Sequence, residues 1–420
     1  MRVLEPNTVT ILPTNTCTAA CRHCSMNSGP DRTDRLSGEQ LHDIIEQLTT
    51  SCDIHVIVFS GGESTLLGDD LLAAIRQCKE ADVVTRLVTN AFWATSPEVA
   101  LEKLRELHDA GLDELNISTD DYHLPYISLQ KVRNAYEAAI TLNFHSVVIC
   151  NAYGPESWLT PERLNKEFGG GSDLKMRFDA AGQSLCHERR EGETLVMLSN
   201  GVAMQLGRGA EGLAESEVEQ TDWDSLYAMA DEIGGCPWAL RSAAISPKGN
   251  LLACCGTEVD GNPILDYGNI AESSLEELLD LADNDLVTNM IAVFGPIKLK
   301  QLLEELAPGE IEFPRASYRG YCEVCEDLVG IAKNREALYK YQPAFVDAVT
   351  KVRDAYVERF SVDGKVRIPP AMNFVLQFNV VKPGDDLGTL EAETIPLGGM
   401  PRTEPAEPDA GEATKANATP

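Results

Sequence analysis

The chain has 420 residues, and its 66 acidic and 35 basic side chains give a formal net charge of −31. A surface this acidic repels phosphate backbones, so we expect no nucleic-acid partner. The sequence shows no charged leader followed by an apolar stretch and no apolar run of membrane length. Its 12 cysteines are partly clustered, which is typical of metal chemistry in a reducing compartment. We therefore expect a cytoplasmic protein that spans no membrane.

Strand-like and helix-like segments alternate along the first 180 residues. Ser37 and Gln40 form a capping-box pattern ahead of one helix, and Ser96-Pro97 opens another that ends at Gly111. Strand–helix repetition at this spacing predicts an α/β fold with a parallel sheet and right-handed crossovers. The predicted strands are Val9–Leu12, Ile54–Phe59, Val83–Thr89, Glu114–Ser118, His145–Cys150 and Leu174–Phe178.

Three cysteines, Cys17, Cys21 and Cys24, lie in the polar loop that follows the first predicted strand. Their C-x-x-x-C-x-x-C spacing suits one face of a [4Fe–4S] cluster. Electron-transfer clusters normally use four cysteines, so a triad leaves one iron open to another ligand. A zinc ion with water as its fourth ligand is the alternative.

A second motif, Ser60-Gly61-Gly62-Glu63, follows the strand Ile54–Phe59 directly. Two glycines let the backbone approach a ligand closely, and the carboxylate of Glu63 can accept a hydrogen bond from a cation. Alone, the motif is also compatible with an ordinary turn. The cysteine triad resembles the cluster-binding signature of the radical SAM superfamily. The glycine motif, at the end of the next strand, resembles the SAM-binding motif of the same superfamily.

This resemblance implies a partial (β/α)6 TIM-like barrel with its site at the carboxyl ends of the strands. It also implies that the open iron chelates S-adenosylmethionine (SAM). Reductive cleavage of SAM would then give methionine and a 5′-deoxyadenosyl radical that abstracts hydrogen from an unactivated carbon. The SAM-binding residues it suggests are Gly61, Gly62, Glu63, Asn90, Ser118 and Asp120.

Polar residues just past the third and fourth strands are candidates for the pocket. Asp120, Tyr122 and His123 follow the fourth strand, where substrate would lie. The alternative is that the acidic residues form a polar turn and that His123 is a surface residue ahead of a proline. Arg177 either neutralises the carboxylate of SAM or pairs with a nearby acid.

A second group of cysteines lies downstream of the predicted barrel. Ser242–Ser246 and Leu251–Cys255 are predicted to form a hairpin around a proline-led turn. The region resembles the auxiliary-cluster domains called SPASM and twitch. A full SPASM domain needs more cysteines than are present, so the resemblance favours one auxiliary [4Fe–4S] cluster and a twitch-like domain. The implied ligands are Cys236, Cys254, Cys322 and Cys325.

Cys255 is left over in this assignment, because its side chain should point to the opposite face of the strand from Cys254. The alternative for the four-cysteine group is a structural zinc ion bound by four thiolates.

The predicted organisation has five parts. They are the core barrel (1–180), a bridging or substrate region (181–235), the auxiliary-cluster domain with a hairpin and helices (236–330), a C-terminal helix and extension (331–382), and an acidic tail (383–420). The tail has too few apolar groups to offset the entropy of ordering, so we expect it to be disordered.

The leading functional hypothesis is a radical SAM peptide maturase, because auxiliary domains are common in such enzymes. A small-molecule or cofactor-biosynthesis precursor is the alternative substrate, since the N-terminal peptide-recognition domain of many SPASM enzymes is absent before Cys17. Recognition of a peptide would then fall to a separate protein or to residues 180–235 and 283–320. A reducing partner such as a flavodoxin or ferredoxin is implied. The third hypothesis is a non-catalytic iron–sulfur or zinc protein.

Overall fold

The protein is described by a computed structural model that covers residues 2–169, 175–178, 184–256, 259–362 and 364–366. The strands are β1 (Thr8–Ile11), β2 (Val56–Phe59), β3 (Val84–Thr89), β4 (Glu114–Ser118), β5 (Ser146–Tyr153), β6 (Lys175–Phe178), β7 (Ser184–Glu191), β8 (Thr194–Val202), β9 (Ser242–Ile245), β10 (Asn250–Leu252), β11 (Asp266–Asn269), β12 (Ser361–Val362) and β13 (Lys365–Val366). The predicted tail, the side chain of Arg177 and most of the C-terminal extension lie outside the described residues.

The helices lie between these strands and in the C-terminal half of the chain. They are α1 (Gly38–Ser51), α2 (Asp69–Glu80), α3 (Pro97–Ala110), α4 (Leu129–Thr141), α5 (Pro161–Phe168), α6 (Gly209–Gly212), α7 (Trp223–Ile233), α8 (Leu275–Asn284), α9 (Leu286–Leu306), α10 (Tyr321–Gly330), α11 (Ala332–Tyr341) and α12 (Val346–Phe360). Short 3₁₀ turns cover Ser64–Leu67, Glu215–Glu217 and Gln342–Phe345.

Six parallel strands form the core of the sheet, in the order β1-β2-β3-β4-β5-β8. The residues of β1 and β2 are all buried, as expected for parallel strands whose two faces are covered. The crossovers α1 to α4 place buried apolar faces in the same core. The α/β prediction and its partial TIM-like barrel are confirmed.

Local sequence signals fix the ends of two barrel helices. The Ser37 side chain accepts from the backbone N–H of Gln40, whose side chain in turn accepts from the Ser37 N–H. The Ser96 side chain caps α3 by accepting from the Val99 N–H, with Pro97 in the first turn, and Gly111 ends the helix with a left-handed φ of 106°. These predicted boundaries are confirmed.

The predicted sixth strand, Leu174–Phe178, is wrong as a member of the parallel sheet. Its counterpart β6 pairs antiparallel with β7 at the far edge of the sheet. The sixth parallel strand is β8, which pairs with β5 from Leu195 to Val202. The apolar run 195–198 is fully buried and suits a strand covered on both faces, whereas β6 alternates polar and apolar residues. The boundary at residue 180 stays a prediction, although parallel pairing continues to Val202.

The auxiliary region continues the same sheet. Strand β9 pairs parallel with β1, from Ser242 opposite Thr8 to Ile245 opposite Ile11. Strand β10 pairs antiparallel with β9, which confirms the predicted hairpin. However, β10 ends at Leu252, so Cys254 and Cys255 lie beyond the regular strand. The complete sheet has eleven strands.

Helix α9 forms the centre of the C-terminal half. It is broken at Gly295, whose φ is 72°, immediately before Pro296, and it packs against α7, α10, α11 and α12. Among the described residues, α9 is long and apolar enough to span a membrane, whereas no membrane span was predicted from the sequence. However, 72% of its most apolar 18-residue stretch is buried inside the protein. We therefore interpret it as a core helix. The predicted C-terminal helix corresponds to α12, in which Val349 and Tyr356 are buried.

Replacing Leu198 with alanine should test the place of β8 in the core. Leu198 is fully buried, so the substitution should lower the free energy of unfolding by about 2–5 kcal/mol. Urea denaturation followed by circular dichroism measures the change. As a control, Leu281→Ala removes a side chain that is 60% exposed and should change stability by less than about 0.5 kcal/mol. Equal losses in both variants would contradict the assignment of β8.

Candidate active site

The three N-terminal cysteines lie together in the loop between β1 and α1. The Cys17 N–H donates to Gly29 O at 3.0 Å, and the Cys24 N–H donates to Cys21 O at 3.2 Å. Cys21 is buried, and the other two thiols pack against the same small apolar group. Burial, together with Glu63 and the two neighbouring cysteines, raises the pKa of Cys17 to about 11. A soft cation would relieve this cost by binding the thiolates, so the donor set fits an iron–sulfur cluster.

The glycine motif after β2 packs directly on this cysteine loop. The Gly62 N–H donates to Thr14 O at 2.8 Å, and the Glu63 N–H donates to Thr16 O at 2.9 Å. A Cβ atom on Gly61 would lie 2.6 Å from Thr14 O, and one on Gly62 only 2.1 Å from Thr16 O. Both glycines are therefore required for close approach to the backbone of the cluster loop. Their predicted contact with SAM stays a prediction.

Glu63 is fully buried and ties the motif to the end of β3. Its carboxylate accepts from Thr65 Oγ1 at 2.5 Å and Thr89 Oγ1 at 2.8 Å, and from the Asn90 N–H at 2.9 Å. Burial raises the pKa of Glu63 above its ordinary value. The hydrogen bonds lower the pKa, but their effect is smaller than that of burial. The carboxylate thus fixes the position of Asn90, and its predicted role toward the ammonium group of SAM stays a prediction.

Asn90 contacts the cysteine loop, as expected for a residue past the third strand. Its Nδ2 donates to Thr18 Oγ1 at 3.2 Å and lies 3.6 Å from Cys17 Sγ. Its Oδ1 accepts from the Phe92 N–H at 2.9 Å, which fixes the orientation of the amide. Ser118 is half-buried at the end of β4 and pairs in register with Cys150. The SAM-binding roles of both residues stay predictions.

Asp120 is buried and organises the loop after β4. Its Oδ1 accepts from the N–H groups of Tyr122 and His123 and from His123 Nδ1, at 2.8 to 3.0 Å. Its Oδ2 lies 3.2 Å from His23 Nε2. Burial alone would raise the pKa of Asp120, but the two histidines hold it well below its ordinary value. Both carboxylate oxygens are thus engaged within the protein, while the predicted ribose contact stays a prediction.

His123 faces the cysteine loop, so its interpretation as a surface residue is wrong. One donor atom each from Cys21, His23 and His123 lies within 4.8 Å of the others, and the His23 ring stacks on Tyr122 at 4.6 Å between centroids. Burial lowers the pKa of His123, but Asp120 and the Cys21 thiol together raise it well above 6.5. The loop after β4 therefore forms one wall of the cysteine site.

A segment that the sequence analysis did not single out forms another wall. Residues 205–213, here called the linking segment, follow β8 and lie against the cysteine loop. The Arg208 N–H donates to Cys24 O at 3.0 Å, and its guanidinium donates to the carbonyl oxygens of Cys21, at 2.9 Å, and Ser28. Glycines at 207 and 212 permit this approach, because Cβ atoms there would lie 2.3 Å from Ser25 O and 2.5 Å from Arg22 O. The sequence feature that could have indicated this contact is the cluster of glycines around Arg208.

The linking segment also contacts the helix that carries two cysteines of the second group. The Gln205 N–H donates to Glu323 Oε1 at 2.5 Å, and the Gly207 N–H donates to Glu326 Oε1 at 3.1 Å. Both glutamates belong to α10, which also carries Cys322 and Cys325. One short segment therefore joins the cysteine loop to the helix of the second cysteine group.

The second cysteine group lines a cavity of about 260 Å³ near the end of β8. A Cβ atom on Gly256 would lie 3.5 Å from the sulfur atoms of both Cys254 and Cys322. Burial raises the pKa values of Cys322 and Cys325 well above normal, and neighbouring cysteines raise them further. The structure thus brings the predicted ligands together as another donor set suited to a soft metal or cluster. The cavity is lined by Cys236, Cys254, Cys255, Cys322 and Cys325 among other residues.

Cys254 and Cys255 have different surroundings within this cavity. Cys254 Sγ accepts from the Gly256 N–H at 3.2 Å. The Cys255 thiol is hydrogen-bonded to the side chain of Thr10 in β1, which lowers its pKa, while burial has the larger, raising effect. These contacts are consistent with Cys255 as the cysteine that does not bind the auxiliary cluster. The assignment of the cluster ligands stays a prediction.

Residues 11–156 match the model of the radical SAM superfamily. Together with the cysteine loop and the glycine motif packed on it, this match identifies residues 11–156 as a radical SAM domain, and the protein is a radical SAM enzyme.

Among known proteins, the chain is similar to YydG of Bacillus subtilis, which is named provisionally as a peptide biosynthesis protein. The two are 29% identical over 350 residues, or 82% of this chain and 99% of YydG. The PqqA peptide cyclase of Methylocella silvestris is 24% identical over 299 residues, or 66% of this chain and 75% of the cyclase. The structure of anSMEcpe with AdoMet and a Cp18Cys peptide is 13% identical, with 83% of this chain and all of that chain covered at a TM-score of 0.48.

Replacing Gly62 with alanine should disturb the radical site selectively. The new Cβ would overlap Thr16 O, so the cysteine loop must move, and the protein should lose about half of its iron if it carries two cubanes. Iron and sulfide analysis after anaerobic reconstitution measures the loss. Gly330→Ala is the matched control, since no atom lies within 4 Å of a Cβ there. Full iron content in both variants would contradict the required close approach.

Proposed function

We propose that this radical SAM enzyme modifies a peptide. The observation that carries the proposal is the extent of the similarity to YydG, which covers 82% of this chain and 99% of YydG. That similarity therefore extends well beyond the residues 11–156 matched by the superfamily model. The name of the second relative, a peptide cyclase, supports the same substrate class.

The chemistry would take place at the N-terminal cysteine loop. When bound there, a [4Fe–4S] cluster supplies the electron that splits SAM into methionine and a 5′-deoxyadenosyl radical, which takes a hydrogen atom from a substrate carbon. Cys17, Cys21 and Cys24 would hold three irons and leave the fourth for SAM. Asn90 and the loop of Asp120, Tyr122 and His123 would shape the walls around it, since they contact the cysteine loop.

The rim of the proposed pocket is held by hydrogen bonds between neighbouring loops. Asp121, in the loop after β4, accepts from the N–H groups of Trp158 and Leu159 in the loop after β5. Trp158 is 51% exposed, and the Arg163 guanidinium lies 4.0 Å from its ring centroid. An exposed indole on a fixed loop suits contact with an apolar side chain of a peptide.

We further propose that the second cysteine group holds an auxiliary [4Fe–4S] cluster. The support is that Cys236, Cys254, Cys322 and Cys325 line the same cavity. An external one-electron donor such as a flavodoxin or ferredoxin would reduce the enzyme. Such thiol-bound clusters require a reducing compartment, so we propose a cytoplasmic location.

The peptide assignment can be tested by isotope transfer. We would synthesise perdeuterated peptides encoded by short reading frames beside the gene and add each, with SAM and dithionite, to the anaerobically reconstituted enzyme. At least one should give deuterium in 5′-deoxyadenosine by mass spectrometry, because the radical takes its hydrogen from the substrate. The variant with Cys17, Cys21 and Cys24 all changed to alanine should form no 5′-deoxyadenosine. Cleavage of SAM without deuterium from any peptide would overturn the peptide assignment and leave the enzyme class intact.

The auxiliary site can be tested by removing two ligands on one helix. Cys322→Ala combined with Cys325→Ala should remove about half the iron and sulfide, given two cubanes of one type. SAM cleavage without substrate should persist, because the radical cluster has its own ligands. Cys255→Ala is the matched control and should keep its full iron. Zinc in the wild-type protein, or full iron in the double variant, would show that the second group holds no cluster.

A further inference from the structure

Arg208 holds a part of the cysteine loop that the hydrogen bonds of the glycine motif, within the described residues, do not reach. Its N–H donates to Cys24 O at 3.0 Å, and its Nη1 donates to Cys21 O at 2.9 Å. Its Nη2 donates to the carbonyl oxygen of Ser28. One residue therefore fixes three carbonyl groups of the loop, two of which belong to cluster cysteines. The planar guanidinium reaches two of them at once, which the ammonium group of a lysine does less well.

The charge of Arg208 is balanced differently from that of nearby arginines. Arg22 makes two hydrogen bonds to the Glu217 carboxylate. Arg315 pairs with Glu326 and Asp327 of α10. By contrast, the side-chain hydrogen bonds of Arg208 within the described residues go to backbone carbonyl oxygens. The half-buried guanidinium thus places positive charge against the backbone of the loop that carries the three thiols, which become negative when they bind iron.

We propose that Arg208 is a positioning residue of the radical cluster, which orients the Cys21 and Cys24 backbone and raises the cluster's reduction potential by its charge. Reduction adds one negative charge to the cluster, and a fixed positive charge nearby stabilises that state. Surrounding charge and hydrogen bonding are known determinants of iron–sulfur potentials. The inference rests on the radical cluster of the enzyme class and is independent of the proposed peptide substrate.

Two substitutions separate charge from geometry. Arg208→Gln removes the charge but keeps a hydrogen-bond donor, whereas Arg208→Lys keeps the charge and loses the planar fork. Arg105→Met is the control for loss of one positive charge, since Arg105 is exposed on helix α3 and is not among the described residues that contact the cysteine loop or the proposed pocket. Each protein is reconstituted anaerobically without peptide. Iron content and melting temperature are measured first, and the midpoint potential is then measured by a titration followed by electron paramagnetic resonance.

We expect the midpoint potential to fall in Arg208→Gln and to stay closer to that of the wild type in Arg208→Lys. Arg105→Met should match the wild type. If Arg208→Gln fails to retain the radical cluster while the control retains it, the positioning role is supported directly. Wild-type iron content and wild-type potential in both Arg208 variants would overturn the proposal, even if their melting temperatures were lower. Because no peptide is present, this outcome is distinct from failure of the peptide assignment.

Discussion

The radical site depends on the backbone pairing of two loops that follow adjacent strands. The N–H groups of Gly62 and Glu63 bind the carbonyl oxygens of Thr14 and Thr16, which positions the cysteine loop against the end of β2. The side chain of Glu63 then reaches the end of β3 through Thr89 and Asn90. A single set of contacts therefore aligns the cysteines with the carboxyl edge of the parallel sheet, where barrel enzymes place their sites.

Structural features that depend on residues close together in the sequence could be predicted. The Ser37 capping box, the turn at Gly111 and the cysteine triad each involve residues a few positions apart, so their patterns are visible in the sequence. The sixth strand was mistaken because a five-residue segment gives little information about its pairing partner. Strand β8 is assigned instead by pairing with β5, whose residues lie far earlier in the chain.

The remainder of the site depends on contacts between distant residues. Arg208 and Cys21 are separated by 187 positions, and no local period predicts that they meet. His123 presents the same difficulty, because only the folded sheet brings the loop after β4 onto the cysteine loop. The second cysteine group was predictable through its resemblance to a known domain type. Its relation to the linking segment, through Glu323 and Glu326, was not.

The continuity of the sheet has a consequence for motion. Strand β9 is hydrogen-bonded to β1 along its whole length, so the segment that leads from Cys236 to Cys254 is built into the barrel. Domains joined only by a linker can swing relative to each other, but here such a hinge would have to break a buried sheet. We therefore expect the fold to hold the two cysteine groups at a fixed distance, and a large substrate to gain access through displacement of surface loops.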